Sequence, residues 1–466
     1  MKDTADFPNS AHWTPTHIPA LRSGIRETAE QPFSDHMIVH FLGLNYAPDE
    51  IGTAVYSTGL VEELARRGHE VTAICGHPYY PQWRRRAGWP AFSYQSETSR
   101  NGARVIRCPI YVPRVLRFLS RMAHYLSFAA TAFPRLLAEG LRKRPDVVLV
   151  VAPSLVSAIG GVIAGRLRGA KLWLHIQDFE VEAAFATGAL DPNSLLGRMA
   201  LRFENAMLRR FDMISSISPQ MLDKLREKGV DEAKILEVRN WADLSRINVV
   251  DNPAPMKAEL GITTRHVAYY SGNVAAKQGL EIIPDAARIL AHRDDLTFVI
   301  CGEGPYLDTL KRKAAGLHNV TFLPLQPVER LNEALGMADL HLLPQIAGVA
   351  SAVLPSKLTN MLASGRPVIA TAEPDTALAR EIEGAGIATP PQDAKAFAEA
   401  TAALLDDPAR RRALGVRARE LALENWSMHR SINRLEHHMR RMVETARPRA
   451  LRASDQQAID SPVHRI

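Results

Sequence analysis

Two short segments in the C-terminal half contain residue types suited to holding a diphosphate. In the first, Lys277 stands in a turn of small residues, 271–279 (SGNVAAKQG). Backbone N–H groups at a helix start, together with one lysine charge, favour a phosphate anion. In the second, Pro355 and Ser356 are expected to begin a helix that carries Lys357 and Asn360 on one face. A solvated loop lysine is the alternative for Lys277.

Two loops in the N-terminal half carry polar groups that suit a hydroxyl-rich ligand. Residues 45–53 (NYAPDEIGT) follow the first predicted strand, and Gly52 there lets a ligand approach the N–H groups of the next helix. Residues 175–180 (HIQDFE) follow the fifth predicted strand and include His175. Ordinary solvated loops are the alternative for both. The acidic candidates for the acceptor side are Asp49, Glu50, Asp178 and Glu180.

The common catalytic signatures are missing from the sequence. It contains no Gly-Lys pair of a Walker loop and no GxSxG, HExxH or EF-hand pattern, which excludes the commonest NTPases, hydrolases and metal-binding classes. Residues 302–305 (GEGP) follow a predicted strand, but Leu307 replaces the third glycine of a dinucleotide fingerprint. A tight strand-to-helix turn and a ligand contact both stay open for this segment. The three cysteines form no CxxC pair, which indicates a reducing compartment, and no metal or cofactor is expected.

The elements that must position these loops follow from an alternation of short apolar runs and helix-length segments. Continuous apolar strands separated by helices predict parallel sheets covered on both faces, here in two doubly wound α/β domains. Ligands bind such folds at the carboxyl ends of the strands. Residues 147–165 are uncharged, but the break at Pro153 favours a buried strand and helix over a membrane span. We divide the chain into an N-terminal extension (1–35), two domains (36–250 and 251–424), a helix that could cross back (425–446) and a disordered tail (447–466).

The basic surplus of the chain is concentrated in one region. Lysines and arginines number 57 against 50 acidic residues, a net charge of +7. Residues 84–121 hold nine arginines and only Glu97 as an acid, interleaved with aromatic residues. This pattern favours an anionic membrane surface over nucleic acid, with a solvated basic face as the alternative. The residues expected to face the membrane are Arg107, Arg114, Arg117, Phe118 and Arg121.

Five segments together resemble the retaining glycosyltransferases of family four, which have the GT-B fold. They are NYAPDEIGTAVYSTGLVEELARRGHEV, HPYYPQW, LHIQDFEVEAAF, YSGNVAAKQGLEI and LPSKLTNMLASGRPVIA. The likeness extends over residues 37–444 and is strongest to the exopolysaccharide branch that includes the colanic-acid fucosyltransferase. It implies two Rossmann-like domains that face each other across a cleft.

The resemblance also implies roles for individual residues. His175 would bind the donor sugar, Lys277 would hold the diphosphate, and Gly52 would lie against the diphosphate and the acceptor. The wider family has glutamates where this chain has Ala352 and Asn360, so the sugar contacts depart from the family pattern. It has an arginine where this chain has Asn273, so Lys277 would need help from a helix N-terminus to hold the diphosphate. The residues assigned to the donor by motif or resemblance are Gly52, Asn273, Gly302, Gly304, Leu325, Pro355, Ser356, Lys357 and Asn360.

The expected reaction is metal-independent transfer of a sugar with retention of its anomeric configuration. The donor would be a GDP- or UDP-linked sugar, for example a deoxyhexose such as fucose. The acceptor would be a lipid-diphosphate-linked sugar or a saccharide in cell-surface polysaccharide synthesis. We expect a cytoplasmic protein at the inner face of the membrane. The alternatives are a nucleotide-sugar epimerase of the same architecture and a non-catalytic sugar-binding protein.

Overall fold

The fold was analysed in a computed structural model, which describes residues 36–49, 52–80, 82–115, 118–186, 188–242, 244, 246–346 and 354–446. Within them, the first half forms an eight-stranded sheet in the order β3-β4-β2-β1-β5-β6-β7-β8, parallel except for β3. Its strands are β1 (Ile38–Gly43), β2 (Glu70–Gly76), β3 (Gln95–Thr98), β4 (Arg104–Cys108), β5 (Val147–Ala152), β6 (Lys171–Ile176), β7 (Met213–Ser216) and β8 (Ile235–Glu237). Its helices are α1 (Thr53–Arg66), α2 (Phe118–Arg142), α3 (Ala158–Arg168), α4 (Glu180–Ala186), α5 (Leu195–Leu208) and α6 (Pro219–Glu227).

The second half forms a six-stranded parallel sheet in the order β11-β10-β9-β12-β13-β14. Its strands are β9 (His266–Ser271), β10 (Leu296–Cys301), β11 (Val320–Leu323), β12 (Leu340–Leu343), β13 (Val368–Thr371) and β14 (Gly386–Thr389). Its helices are α7 (Ala254–Glu259), α8 (Ile282–Ile289), α9 (Leu307–Lys313), α10 (Leu331–Gly336), α11 (Lys357–Ala363), α12 (Ala377–Glu381), α13 (Ala394–Asp406) and α14 (Pro408–Asn425). A last helix, α15 (Met428–Ala446), follows.

Helices cover both faces of each sheet. Successive side chains of a strand point to opposite faces, so each strand contributes to the core on either side. In the first sheet, one face packs against α2, α3, α5 and α6, and the other packs against α1 and α15. The uncharged run 147–165 divides into β5 and α3, as the break at Pro153 predicts. No helix of the described residues is long and apolar enough to cross a membrane.

The chain passes between the two domains twice, and the two crossings touch. The backbone N–H of Ala242 donates to the carbonyl of Trp426 at 2.9 Å, and Ala242 forms a parallel bridge with Ser427. Beyond this point α15 returns to the first domain, where Ile432, Leu435 and other apolar residues enter the core beside α1. The C-terminal helix is therefore part of the N-terminal domain in space.

Candidate active site

Apart from Gly52, the described candidate donor residues lie at the carboxyl ends of four neighbouring strands of the second sheet. Asn273 follows β9, the segment 302–304 follows β10, Leu325 follows β11, and the segment 355–360 lies between β12 and β13. Because β11, β10, β9 and β12 are adjacent in the sheet, the topology brings these loops to one edge. Asn273 and Leu325 are exposed there, so both are accessible to a ligand.

Gly302 and Gly304 allow the loops after β9 and β10 to pack closely. A Cβ atom at Gly302 would stand 1.9 Å from the carbonyl oxygen of Gly272, and one at Gly304 would stand 2.2 Å from that of Val274. Gly304 also has a φ of +155°, which side chains rarely adopt. The two glycines therefore define the shape of this edge, whether or not they also touch a nucleotide.

Lys357 is the cation whose position at this edge is best defined. Its ammonium group donates to the hydroxyl oxygen of Tyr270 at 2.8 Å and to Gln278 Oε1 at 3.3 Å. The Tyr270 hydroxyl in turn donates to the carbonyl of Asn273 at 2.7 Å. Burial lowers the pKa of Lys357 to about 8, since desolvation disfavours the charged form. An ammonium group has three N–H donors, so one remains beyond the two bonds to described residues and could meet an anionic ligand.

Other residues assigned to the donor are less fully described. Lys277 lies in the short 3-10 turn Ala276–Gln278, beside the glutamine that contacts Lys357, but its side chain is outside the described structure. Ala352 also lies outside the described residues. Pro355 and Ser356 directly precede α11, and Asn360 is half-buried within its first turn.

His175 is buried in β6, and both of its ring nitrogens have partners within the protein. Nδ1 lies 2.9 Å from the hydroxyl oxygen of Ser215, and Nε2 lies 2.9 Å from the amide nitrogen of Gln177. Gln177 and Asn240 exchange amide hydrogen bonds of 2.8 and 2.9 Å. Burial lowers the pKa of His175 to about 4, so the ring is neutral near pH 7.

Two residues of this region were not recognised from the sequence: Tyr270, which contacts Lys357, and Asn240, which contacts Gln177. Tyr270 is an apolar-run residue of β9 that looks like core, and Asn240 lies in the segment between the domains. Gln177 belongs to the HIQDFE segment, where its position after a strand was a usable signal. The half-buried Gln177 and Asn240 lie next to the histidine and can present amide groups to a ligand.

The acidic candidates separate into different environments. Asp49 is buried; its Oδ2 accepts from the backbone N–H of Tyr80 at 3.4 Å, while its Oδ1 has no hydrogen bond to the residues that the structure describes. Burial raises the pKa of Asp49, and the nearest cation is Arg86, 3.8 Å away. Gly52, with a φ of +67°, begins α1 in the same loop, close to Tyr80. Glu50 lies outside the described residues.

Glu180 has a structural role in addition to the one predicted for it. Its carboxylate accepts hydrogen bonds from the backbone N–H groups of Ser154 and Leu155, at the start of the short helical turn after β5. Burial raises the pKa of Glu180 to about 7 despite these bonds. Asp178, two residues earlier, is exposed. Of this pair, Asp178 is therefore the carboxylate more accessible to an acceptor.

The prediction that Arg107 faces a membrane is wrong. Arg107 lies in β4 and is 3% exposed, with its guanidinium bound to Glu97 Oε1 at 2.7 Å and stacked over the rings of Tyr46 and Trp89. Alternation along the strand turns this side chain toward the core beneath α1. The strands β3 and β4 were not recognised in the sequence because charged residues interrupt the apolar run that is typical of a buried strand.

The other residues expected at the membrane differ in exposure. Arg114 and Arg121 are exposed, and Phe118 is half-buried at the start of α2. The Arg121 guanidinium lies 5.9 Å from the ring centroid of Trp83, a cation–π distance. Arg117 lies outside the described residues.

Two facing Rossmann-like α/β domains with their loops at the carboxyl ends of the strands define the GT-B class of glycosyltransferases. Family models agree domain by domain: a "Glycosyl transferase 4-like domain" matches residues 52–241, and "Glycosyl transferases group 1" matches residues 254–421. The chain therefore belongs to the glycosyltransferase family that these two models describe.

Individual relatives and a solved structure support this assignment. The chain is 38% identical over 366 residues to "Putative colanic acid biosynthesis glycosyl transferase WcaI" of Escherichia coli K12, covering 76% of this chain and 89% of that protein. It is 26% identical over 400 residues to "GDP-mannose-dependent alpha-(1-6)-phosphatidylinositol monomannoside mannosyltransferase" of Mycolicibacterium smegmatis, covering 82% and 93%. The structure of Anabaena Alr3699/HepE in complex with UDP-glucose superposes with a TM-score of 0.60 at 14% identity, covering 88% and 100%. At that identity the last comparison shows the fold alone.

Proposed function

We propose that this protein transfers a sugar from a nucleotide-diphosphate donor to an acceptor hydroxyl, with retention of anomeric configuration, in the synthesis of an exopolysaccharide or cell-surface polysaccharide. The family supports sugar transfer, and the role named for the Escherichia coli relative supports the polysaccharide. The observation that carries the proposal is the buried ammonium of Lys357, held by Tyr270 and Gln278 where the loops of four strands meet.

The proposed chemistry is electrostatic stabilisation of the leaving diphosphate. The bond between the anomeric carbon and the phosphate oxygen breaks, and the acceptor oxygen bonds to the same face of that carbon. The leaving phosphate takes the acceptor proton, so no side-chain nucleophile is needed. A cation aimed at the charge that develops on the phosphate lowers the barrier, and Lys357 and Lys277 supply it in this proposal without a metal.

The proposed sugar contacts centre on the segment 175–180. Both ring nitrogens of His175 are bonded inside the protein, so His175 can contact the donor sugar only if Gln177 moves away. The alternative is that Gln177 itself contacts the sugar. Amide groups of Gln177 and Asn240 offer both donors and acceptors, which suits sugar hydroxyls. The donor we propose is a GDP- or UDP-linked sugar, with a deoxyhexose such as fucose as the first candidate.

The proposed acceptor is a lipid-diphosphate-linked sugar or a saccharide, bound on the side of the first domain. Asp49 Oδ1, which lies 3.8 Å from the Arg86 guanidinium, and the exposed Asp178 carboxylate could each accept a hydrogen bond from an incoming hydroxyl. A lipid-linked acceptor requires the enzyme to work at a membrane surface. We therefore also propose peripheral association with an anionic membrane, supported by the exposed Arg114 and Arg121.

A panel of GDP- and UDP-linked sugars, incubated with and without acceptor, tests the proposed reaction. Release of nucleoside diphosphate only with acceptor, and a product with the donor's anomeric configuration by NMR, is the expected result. Lys277→Ala should lower the rate about 10²-fold, on the scale of losing one group that stabilises developing charge. Epimerised nucleotide sugar without release, or no turnover of any donor, would contradict the proposal.

A further inference from the structure

Exposed apolar side chains are concentrated on two neighbouring helices of the first domain, α3 and α5. Single exposed apolar residues are ordinary on a protein surface, but a group of them marks an interaction site. The exposed members of this group are Ile159, Ile163, Leu167, Leu195, Leu196 and Met199.

The apolar stripe of α3 points away from the sheet that the helix covers. A Cβ atom at Gly161 would lie 2.7 Å from Val150, and one at Gly165 would lie 2.4 Å from Leu172, so this side of α3 rests directly on β5 and β6. Positions two residues further along a helix are turned by about 200°. Leu167, two residues after Gly165, is accordingly 69% exposed, and it belongs to a stripe with an i, i+4, i+8 spacing.

α5 continues the same surface. Its Met207 and Leu208 are buried in the core that also contains α3, while Leu195 and Met199 are 68% and 55% exposed. The guanidinium of Arg166 in α3 donates to the carbonyl of Arg210, just beyond the end of α5, at 3.2 Å. The C-terminal ends of the two helices are therefore neighbours, and both helices cover the same face of the sheet.

The exposed charges on these two helices are all positive. The sequence of α3 contains no acidic residue, and the acid of α5, Glu204, is buried in an ion pair with Lys228. Arg198 and Arg202 of α5 are exposed beside the apolar side chains, as is Arg166.

We infer that α3 and α5 form a membrane-docking face that engages an anionic lipid surface. Apolar side chains enter the boundary between headgroups and acyl chains, and the arginines meet lipid phosphates, as in interfacial helices. This inference rests on the membrane association proposed above and identifies the face that makes it. Packing between α2 and α3 joins this face to exposed Leu119 and Leu126 of α2. A second copy docked through the same face would instead bring together two surfaces whose exposed helix charges are all positive.

Vesicle flotation of the full chain tests the inference. The vesicles contain phosphatidylglycerol and phosphatidylcholine, with pure phosphatidylcholine for comparison. We expect the parent to float with the anionic vesicles and the variant Ile163→Ser/Leu167→Ser/Met199→Ser to bind them at least tenfold less. The exposed pair Arg198→Gln/Arg202→Gln should also bind at least tenfold less. Matched controls on the second domain, Ile289→Ser/Leu423→Ser and Arg410→Gln/Arg412→Gln, should bind like the parent.

The outcomes distinguish a failure of the α3–α5 face from a failure of membrane association or of sugar transfer. If the parent ignores anionic vesicles, the membrane association itself fails. If the parent binds, but only Arg114→Gln/Arg121→Gln weakens it, the association survives and the α3–α5 face is wrong. A parent that binds neutral vesicles equally, or a dimer by light scattering that the serine variant dissociates, also overturns the inference. Unchanged melting temperatures and unchanged transfer to a water-soluble acceptor show that the variants are folded and that sugar transfer is tested separately.

Discussion

The ammonium nitrogen of Lys357 lies 2.8 Å from the hydroxyl oxygen of Tyr270 and 4.3 Å from the centroid of the same ring. Tyr270 belongs to β9 and Lys357 begins α11, so the contact joins a strand of the second sheet to the helix that follows β12. We call this end of the sheet, where the candidate donor residues lie, the donor edge. An amine held in this way is partly buried yet mostly charged at pH 7, because its pKa is about 8. That combination is suited to stabilising a leaving diphosphate.

The first prediction concerns the removal of this charge. Lys357→Ala should reduce sugar transfer about 10²-fold, because a positioned charge near the leaving group is lost. Tyr270→Phe, which keeps the ring and removes the hydroxyl that holds the ammonium, should cause a smaller loss. Lys395→Ala is the matched control, since Lys395 is exposed on α13 of the same domain. Steady-state rates that are unchanged in Lys357→Ala would remove this residue from the mechanism.

The pH dependence of the reaction should also report on Lys357. Burial lowers its pKa to about 8, so the charged form is lost as the pH rises through that value. kcat/KM for the donor should therefore fall above pH 8, since it reflects the free enzyme. The fall in kcat should begin at higher pH, because a bound diphosphate favours the charged amine. Lys357→Arg keeps its charge in this range and should lack the decline; a parent profile flat from pH 7 to 10 would contradict the assignment.

Sequence patterns identified the loops of the donor edge but not the contacts between the residues there. The small-residue turn after β9 and the Pro355 helix start were visible because glycine and proline have strong local preferences. The pairing of Lys357 with Tyr270 was not visible, since it depends on β12 lying beside β9 rather than beside β11. Arg107 was misplaced for a related reason: β3 (Gln95–Thr98) is exposed and has no apolar pattern, so nothing in the sequence signalled the strand that covers this arginine.

Gly302 provides a test of the packing at the donor edge. A Cβ atom there would stand 1.9 Å from the backbone carbonyl of Gly272, which cannot move without shifting the loop. Gly302→Ala should therefore lower the free energy of unfolding by about 1–3 kcal/mol or more and reduce donor affinity. Gly140→Ala is the control, because this helical glycine has its nearest neighbour at 3.4 Å and alanine favours helix. Urea unfolding of both variants measures the difference, and equal stabilities would refute the packing argument.

Buried histidines should make the protein sensitive to mild acid. Burial lowers the pKa of His40 and His175 to about 4 and that of His341 to about 3. An unfolded histidine titrates near 6.5, so the unfolded state binds more protons below that pH and stability falls as the pH drops from 6.5 toward 4. A tenfold difference in proton affinity between the folded and unfolded states corresponds to about 1.4 kcal/mol of unfolding free energy. Unfolding free energies that are constant from pH 7 to 4.5 would contradict this prediction.

One carboxylate, Glu436, adds polar contacts to the apolar packing that holds α15 on the first domain. Glu436 accepts from Arg67 at 2.7 Å, from His69 at 3.0 Å and from Arg440 at 2.6 Å. Burial opposes ionisation, but these hydrogen bonds hold the pKa of Glu436 well below its usual range. Glu436→Gln removes the negative charge that Arg67 and Arg440 share, although Arg67 keeps its contact with Glu63 at 2.8 Å, and it should cost about 2–3 kcal/mol of unfolding free energy.

A surface pair provides the comparison for this substitution. Glu420→Gln removes an exposed partner of Arg417, 3.1 Å away, and should cost no more than about 1 kcal/mol. Urea unfolding at pH 7 measures both variants, and limited proteolysis should release the C-terminal helix faster in Glu436→Gln alone. Because α15 packs beside α1, whose N-cap is Gly52, its loosening should also lower transfer activity without any change at Lys357. Equal losses of stability in the two variants would show that Glu436 does not anchor the helix.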